Sequence, residues 1–169
     1  NAIESDVVGA ELEGKVNLNK NFEVRGNLTW MFSESTLANT FGNGSDTYTT
    51  RMFGQAPWIV NTMLTYAPPD SSGFSASVSY NVQGPKLAIT NSEVNPSGIR
   101  AYEMPRHMVD LTVNQRFGTH WIITGRVRNL LNSPLRRSYL FESGFDFDFD
   151  SFAWGTEYSL GIAYRINAF

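Results

Sequence analysis

The segment 156–169, TEYSLGIAYRINAF, alternates apolar and polar side chains with a period of two. Its even positions carry the apolar side chains, which are Tyr158, Leu160, Ile162, Tyr164, Ile166 and Ala168. Successive side chains of a β-strand point to opposite faces of the sheet, so this pattern predicts a strand with one apolar and one polar face. The segment ends on an aromatic residue, Phe169.

Six earlier segments alternate in the same way. They lie at 8–18, 22–32, 58–66, 74–83, 109–116 and 121–128. The connections are short at 19–21, 67–73 and 117–120, and long at 33–56, 84–106 and 130–155. The short ones contain the Gly, Pro, Asn and Asp residues that form tight turns. The pattern predicts seven antiparallel strands with turns at one end and long loops at the other, an asymmetry typical of outer-membrane barrels.

Charged residues within these segments all fall on the less apolar face. The candidates for charged residues that line the interior of a barrel are Arg25, Arg116, Arg126, Arg128, Arg165 and Glu157. A lipid-facing surface would enforce this sorting, because Arg or Lys at the bilayer midplane costs roughly 2–4 kcal/mol. A soluble sheet with one buried face would enforce it as well.

The position of the aromatic rings separates these two interpretations. On the apolar faces the rings collect at the strand ends, and the residues between them are aliphatic. We predict two girdles of aromatic rings. The outer girdle consists of Trp30, Trp58, Tyr80 and Tyr158. The periplasmic girdle consists of Tyr66, Phe74, Trp121 and Tyr164. Two girdles around an aliphatic band are what the headgroup interfaces select. A band of about 25 Å, crossed at a tilt of about 40°, needs roughly ten residues, which is the length of segment 74–83.

Composition excludes several classes of protein. The net charge is -3 and no run of Lys or Arg is present, which argues against a nucleic-acid partner. No window approaches the roughly 20 apolar residues of a membrane helix. The start, NAIESDVVG, is not a signal peptide, so we expect a mature form or a fragment. The two histidines, His107 and His120, lie at strand ends without a placed nucleophile, and we therefore expect neither an enzyme nor a cofactor.

The run Phe145 to Asp150 alternates phenylalanine and aspartate. In a regular strand the three carboxylates of Asp146, Asp148 and Asp150 would share one edge and could bind a cation such as calcium. Alternatively, the run is a strand above the membrane with a solvated acidic face. We prefer the second interpretation, because an EF-hand-like site needs a Gly turn and a closing Glu that are not present.

Several motifs resemble one known family. They are Gly54-Gln55-Ala56-Pro57-Trp58, Tyr80-Asn81-x-x-Gly84, Pro105 with Asp110-Leu111, and Asn129-Leu130-Leu131-Asn132. Together with the final strand they resemble the carboxy-terminal barrel region of the TonB-dependent outer-membrane receptors, particularly those of the Bacteroidetes. A barrel strand that ends on a carboxy-terminal Phe, here Phe169, also resembles the signal that the barrel-assembly machinery reads.

The resemblance implies that residues 1–169 are one part, the last seven or so strands, of a 22-stranded transmembrane β-barrel whose plug and earlier strands are absent. It implies a multi-pass protein of the bacterial outer membrane that imports a metal chelate, glycan or peptide. The implied partners are outer-membrane lipids, TonB-ExbB-ExbD, the barrel-assembly machinery and a surface lipoprotein. Two alternatives stay open: a small structural or adhesion barrel with an eighth strand within 134–153, and a soluble up-and-down barrel that binds an apolar ligand.

Overall fold

The computed structural model describes residues 2–38, 47–70, 72–90, 100–141 and 146–166, and these form antiparallel β-structure. None of these residues belongs to a helix of the length and hydropathy that a membrane crossing needs. The described strands are β1 (Ala2–Asn17), β2 (Phe22–Ala38), β3 (Thr47–Thr50), β4 (Trp58–Tyr66), β5 (Phe74–Gln83), β6 (Lys86–Thr90), β7 (Arg100–Glu103), β8 (Met108–Phe117), β9 (Trp121–Arg128), β10 (Leu135–Leu140), β11 (Asp146–Phe152) and β12 (Glu157–Tyr164).

Seven strands form one continuous antiparallel sheet, which we call the wall. Their order is β1-β2-β4-β5-β8-β9-β12, and β3 pairs with the upper part of β2. Each wall strand therefore lies beside the wall strands that precede and follow it in the chain, as the alternating segments predict. Within the described residues the wall is open, and β1 and β12 form its two edges. The all-β antiparallel prediction is confirmed.

The predicted strand bounds are accurate where both ends of a strand meet a turn signal or a change of pattern. β4, β5 and β9 begin and end at the predicted residues, whereas β1 begins at Ala2 and β2 continues to Ala38. The extra length is a polar ladder in which Ser5 lies opposite Ser35 and Asp6 lies opposite Glu34. Period-two hydrophobicity appears only where one face is apolar, and it is therefore lost in this ladder.

The long connections contain a second sheet that the alternating pattern does not predict. Its order is β11-β10-β7-β6, and we call it the loop sheet. β6 and β7 come from the connection 84–106, β10 and β11 come from 130–155, and the pairing of β7 with β10 joins the two connections. The suggestion of an eighth wall strand within 134–153 is wrong for the described residues, because β10 and β11 pair in the loop sheet and not with β1 or β12.

Burial is concentrated where the connections meet the loop end of the wall. The buried apolar residues of the described chain are Ala56, Val82, Leu87 and Ala101. The backbone N–H of Gly54 donates to the carbonyl of Leu87 at 2.9 Å, which attaches the segment before β4 to β6. The small core therefore binds the loops to the top of the wall and leaves both faces of the wall's edge strands exposed.

Asn129 organises the loop end of β8, β9 and β12. Its backbone N–H donates to Oδ1 of Asp110 at 2.9 Å. Its side chain donates from Nδ2 to the carbonyl of Gly155 at 2.8 Å and accepts at Oδ1 from the N–H of Ser133 at 2.9 Å. Asn129 is buried and has a φ of 53°, in the left-handed region that Asn tolerates better than most other non-glycine residues. The Asn-Leu-Leu-Asn motif is thus a capping device for three wall strands.

We expect Asn129→Ala to destabilise the folded protein by about 1–3 kcal/mol, because it leaves the part-buried carbonyl of Gly155 and the part-buried N–H of Ser133 without their partner. The control is Asn132→Ala, since Asn132 also has a left-handed φ, 49°, but is exposed, and no described residue hydrogen-bonds its side chain. Urea unfolding of both variants in detergent micelles measures the difference. Equal losses would mean that backbone strain, and not the two side-chain hydrogen bonds, accounts for the effect.

Candidate functional site

The two faces of the wall differ in chemistry. In β5 the apolar side chains from Phe74 to Val82 lie on one face, and the side chains of Ser75, Ser77 and Ser79 lie on the other. The cross-strand register continues the apolar face, because Val78 lies opposite both Leu64 on β4 and Leu111 on β8. Val82 is buried at the loop end of this face, whereas aliphatic side chains away from that end, such as Leu160 at 73%, are exposed. A contiguous exposed apolar surface of this kind marks a contact with lipid or with a partner.

At the turn end of the apolar face, rings of neighbouring strands are in contact. The ring centroids of Phe22 and Tyr66 are 4.9 Å apart, and those of Tyr66 and Phe74 are 6.1 Å apart. Trp121 and Tyr164 approach to 4.8 Å. Such pairs contribute about 0.5–1.5 kcal/mol beyond their buried area. Four residues predicted for the periplasmic girdle therefore lie in ring clusters at one end of the wall.

The residues predicted for the outer girdle lie nearer the loop ends of their strands, and two of them are cross-strand partners. Trp30 and Trp58 lie directly opposite each other on β2 and β4. The hydroxyl of Tyr80 and Nδ1 of His107 are 2.7 Å apart and form a hydrogen bond. Tyr158, near the start of β12, is 75% exposed on the same face. Amphipathic rings with a hydrogen-bonding tip are the side chains that lipid headgroup interfaces favour.

On the polar face, some of the predicted interior charges are paired. Nε of Arg25 lies 2.5 Å from Oε1 of Glu23, whose other oxygen lies 2.8 Å from Nζ of Lys15. Nη1 of Arg128 and Oε2 of Glu157 are 3.9 Å apart, across β9 and β12. These exposed pairs contribute little to stability, but they fix the positions of the charges on the polar face.

The other three predicted arginines have no carboxylate within ion-pair distance in the part of the chain that the structure describes. Arg116 lies opposite Ile122, and Arg126 lies opposite Thr112. Arg165 follows β12, and its backbone N–H donates to the carbonyl of His120 at 2.8 Å. Phe169, the predicted assembly signal, lies outside the described residues. The roles of these residues therefore stay predictions.

A ladder of amides crosses the polar face, and the sequence pattern does not reveal it. Asn27, Asn61 and Asn81 lie opposite one another on β2, β4 and β5. Nδ2 of Asn81 donates to Oδ1 of Asn61, and Nδ2 of Asn61 donates to Oδ1 of Asn27 at 2.7 Å. Nδ2 of Asn27 donates in turn to Oε1 of Glu11 at 3.1 Å. Alternation assigns each residue to the polar face, but only the register of four strands brings them together.

The loop sheet carries a row of alternating charges, which we call the charge row: Lys86, Glu103, Arg137 and Asp150. Nζ of Lys86 and Oε1 of Glu103 are 2.8 Å apart. Glu103 lies opposite Arg137 in the β7 and β10 register, and Nη1 of Arg137 is 3.3 Å from Oδ2 of Asp150. Each charge therefore has opposite charges as its neighbours, an arrangement that stabilises pairing between strands.

The aspartates proposed as cation ligands do not share one edge. The register of β10 and β11 shifts between Arg137 and Ser138, so that Asp150 is opposite Arg137 while Asp148 is opposite Ser138. Asp148 accepts a hydrogen bond from the hydroxyl of Ser138 at 2.9 Å and lies on the other face of the sheet from Asp150. Asp146 lies opposite Leu140. Among the described residues no three His, Asp or Glu side chains are grouped to hold a metal ion.

A sheet with an apolar and a polar face, short turns at one end and long loops at the other has the properties of a membrane β-barrel wall. The family model described as TonB dependent receptor-like, beta-barrel, matches residues 3–130, from β1 to the end of β9. The chain belongs to this family of outer-membrane receptors, whose members are transporters rather than enzymes. No curated protein and no solved structure matches the chain.

We predict that Arg137→Glu loosens the pairing of β7 with β10, because it places a carboxylate between Glu103 and Asp150. Like charges directly opposite each other cost about 0.2–1 kcal/mol per pair, so the two new pairs accelerate proteolysis within 130–155 roughly two- to thirty-fold at low salt. High salt reduces the difference by screening. The control is Arg51→Glu, a charge reversal at an exposed residue outside the charge row. Equal cleavage of both variants at low salt would contradict the role of the charge row.

Proposed function

We propose that residues 1–169 form the carboxy-terminal part of the barrel wall of a TonB-dependent receptor that imports a nutrient ligand, a metal chelate, a glycan or a peptide. The observation that carries the proposal is the exposed aliphatic surface on one face of the wall, with ring clusters at its turn end and further rings towards the loop ends of the strands. Exposing this apolar face to water would be costly, because removal of apolar surface from water stabilises a protein by about 25 cal/mol per Å².

In this proposal the apolar face contacts outer-membrane lipids, and the polar face lines the interior of the barrel. Arg25, Arg128 and Glu157 then belong to paired charges of the interior, and Arg116 and Arg126 are available to a plug or to a passing ligand. The edges at β1 and β12 pair with strands of the same receptor outside 1–169, which completes a barrel of the 22-stranded type.

The proposed transport cycle begins when the ligand binds to the extracellular loops and the plug. TonB, energised by ExbB and ExbD, then pulls on the plug and opens a path through the barrel. A surface lipoprotein is a further proposed partner at the loop end, and the barrel-assembly machinery is proposed to read Phe169. Of the parts that this proposed cycle needs, residues 1–169 supply the wall and three loops.

The alternatives account for fewer observations. A soluble barrel with an apolar ligand inside would turn its polar face to water and its apolar face inward, but the rings of the apolar face stand at its two ends and its centre is aliphatic. A small self-contained barrel would need an eighth wall strand, and the strands within 134–153 pair in the loop sheet.

The lipid-facing assignment is tested by a pair of adjacent substitutions in β5. Val78→Arg places a guanidinium in the middle of the aliphatic band and is expected to cost roughly 2–4 kcal/mol of folding free energy in bilayers. Ser79→Arg places the same group on the polar face, opposite Asp110, and is expected to change stability by less than about 1 kcal/mol. The measurement is urea unfolding in lipid vesicles. Equal effects of the two substitutions would refute the assignment of the faces.

The proposal that these residues are part of a larger barrel has a separate test. The intact mass of the protein isolated from its native membrane is expected to exceed 18.9 kDa, the mass of residues 1–169, several-fold. Peptide mapping is expected to place these residues at its carboxy terminus. A membrane species of about 18.9 kDa would contradict the proposal and favour a small complete barrel.

A further inference from the structure

The apolar face of the wall has a depression on β8, β9 and β12. Its volume is about 380 Å³, at the lower end of the range for small-ligand pockets, which is about 300–1,000 Å³. On this face it is lined by Leu111, Val113, Gly125, Val127, Tyr158 and Leu160. Arg126 and Ser159 border it as well, but strand alternation sends their side chains to the polar face. The depression is therefore apolar.

The depression exists because Gly125 has no side chain. Gly125 lies between Val113 on β8 and Leu160 on β12 in the strand register, so a larger residue at 125 would fill the space between them. A Cβ added at Gly125 would have no heavy atom within 4 Å outside its chain neighbours. The space is open to the apolar side, and a side chain can be placed there without a clash.

The depth of the depression matches a lipid chain of one leaflet. Gly125 lies four residues from Trp121, the ring at the turn end of β9. Four residues span about 13 Å along a strand, which is about 10 Å along the membrane normal at a tilt of about 40°. One leaflet supplies about half of a hydrocarbon core of about 30 Å. In the proposed orientation the depression therefore lies within the periplasmic leaflet.

A hydrogen-bond donor lies on the same side of the wall at the turn end. The ring of His120 stacks on Tyr164, with centroids 5.5 Å and planes 17° apart, and Tyr164 belongs to the apolar face. Nδ1 of His120 is 2.8 Å from the hydroxyl of Thr119. With this hydroxyl as the donor, the ring proton is on Nε2. No described residue hydrogen-bonds Nε2, which is therefore free to donate to a lipid phosphate.

We propose that the depression is a binding site for a phospholipid of the periplasmic leaflet. One acyl chain fills the space at Gly125, and the phosphate accepts a hydrogen bond from His120. Between these two points the chain passes Ile123 and Ile162, which lie opposite each other. A side chain of a membrane partner fits less well, because it would fill the depression without engaging His120. The inference rests on the proposed function, in which the turn end faces the periplasm and the apolar face contacts lipid.

The test uses the full receptor in vesicles of dioleoyl phosphatidylethanolamine that contain a trace of the same lipid with a diazirine in the middle of one acyl chain. After illumination, mass spectrometry of the digested protein measures the label on β9 and β12 relative to β1, whose apolar residues lie outside the depression. We expect about ten-fold more label on β9 and β12, as expected for the burial of about two additional methylenes.

Two variants locate the lipid. Gly125→Leu fills the depression and removes the excess label, and it is expected to fold because replacing an interior glycine favours a strand. His120→Phe keeps a ring on Tyr164 but removes the donor, and it lowers the excess about two- to ten-fold, as expected for one hydrogen bond. The matched control is Gly14→Leu, the same substitution at an open position on the apolar face of β1, which leaves the excess unchanged.

The inference is overturned if Gly125→Leu keeps the excess label or if Gly14→Leu lowers it equally. An unchanged label together with a smaller assembly for Gly125→Leu in detergent assigns the depression to a protein partner. An excess that His120→Phe does not change overturns the phosphate contact. Equal label on β1, β9 and β12 of the wild type removes the site but leaves the lipid-facing wall intact. A wild type that carries no label on any of these strands contradicts the proposed function itself.

Discussion

Every backbone polar group that lies in a bilayer needs a partner within the protein, because hydrocarbon offers none. The wall meets this requirement strand by strand, since each of its seven strands is hydrogen-bonded along its length to an antiparallel neighbour. The two side-chain faces follow from the same ladder, because its pleat sends alternate residues to the apolar and to the polar face. The edges at β1 and β12 carry the same requirement, and in the proposed receptor the neighbouring strands of a larger barrel satisfy it.

The loop end is held together by interactions that differ from those of the wall. There the small buried core, the charge row and the hydrogen bonds of Asn129 hold the connections in place. Two long connections are joined by the pairing of β7 with β10, so they are held as one sheet above the wall. A receptor needs such order where its ligand first arrives, since a preorganised surface binds more tightly than one that must be ordered on contact.

The sequence predicts the wall well because two faces of different chemistry impose a period-two pattern on the residues of a wall strand. β4, β5 and β9 are therefore predicted to the residue, and the ring clusters of Tyr66 and Trp121 lie at the predicted end of the sheet. The loop sheet is not predicted, because its strands are short and their pairing joins residues that are distant in sequence. The shift at Arg137 and Ser138 could not be read from the alternating Phe and Asp residues, and it places Asp150 on the other face of the sheet from Asp148.

The most direct test of the account measures which positions of β5 face lipid. The chain contains no cysteine, so a single cysteine can be placed in turn at Ser75, Ala76, Ser77, Val78 and Ser79, and a nitroxide label attached to each. Collision rates of the label with oxygen and with a water-soluble nickel chelate are then measured in reconstituted bilayers. The account predicts that oxygen dominates at 76 and 78 and that the nickel chelate dominates at 75, 77 and 79. Equal access of the nickel chelate to all five positions would contradict a lipid-facing wall.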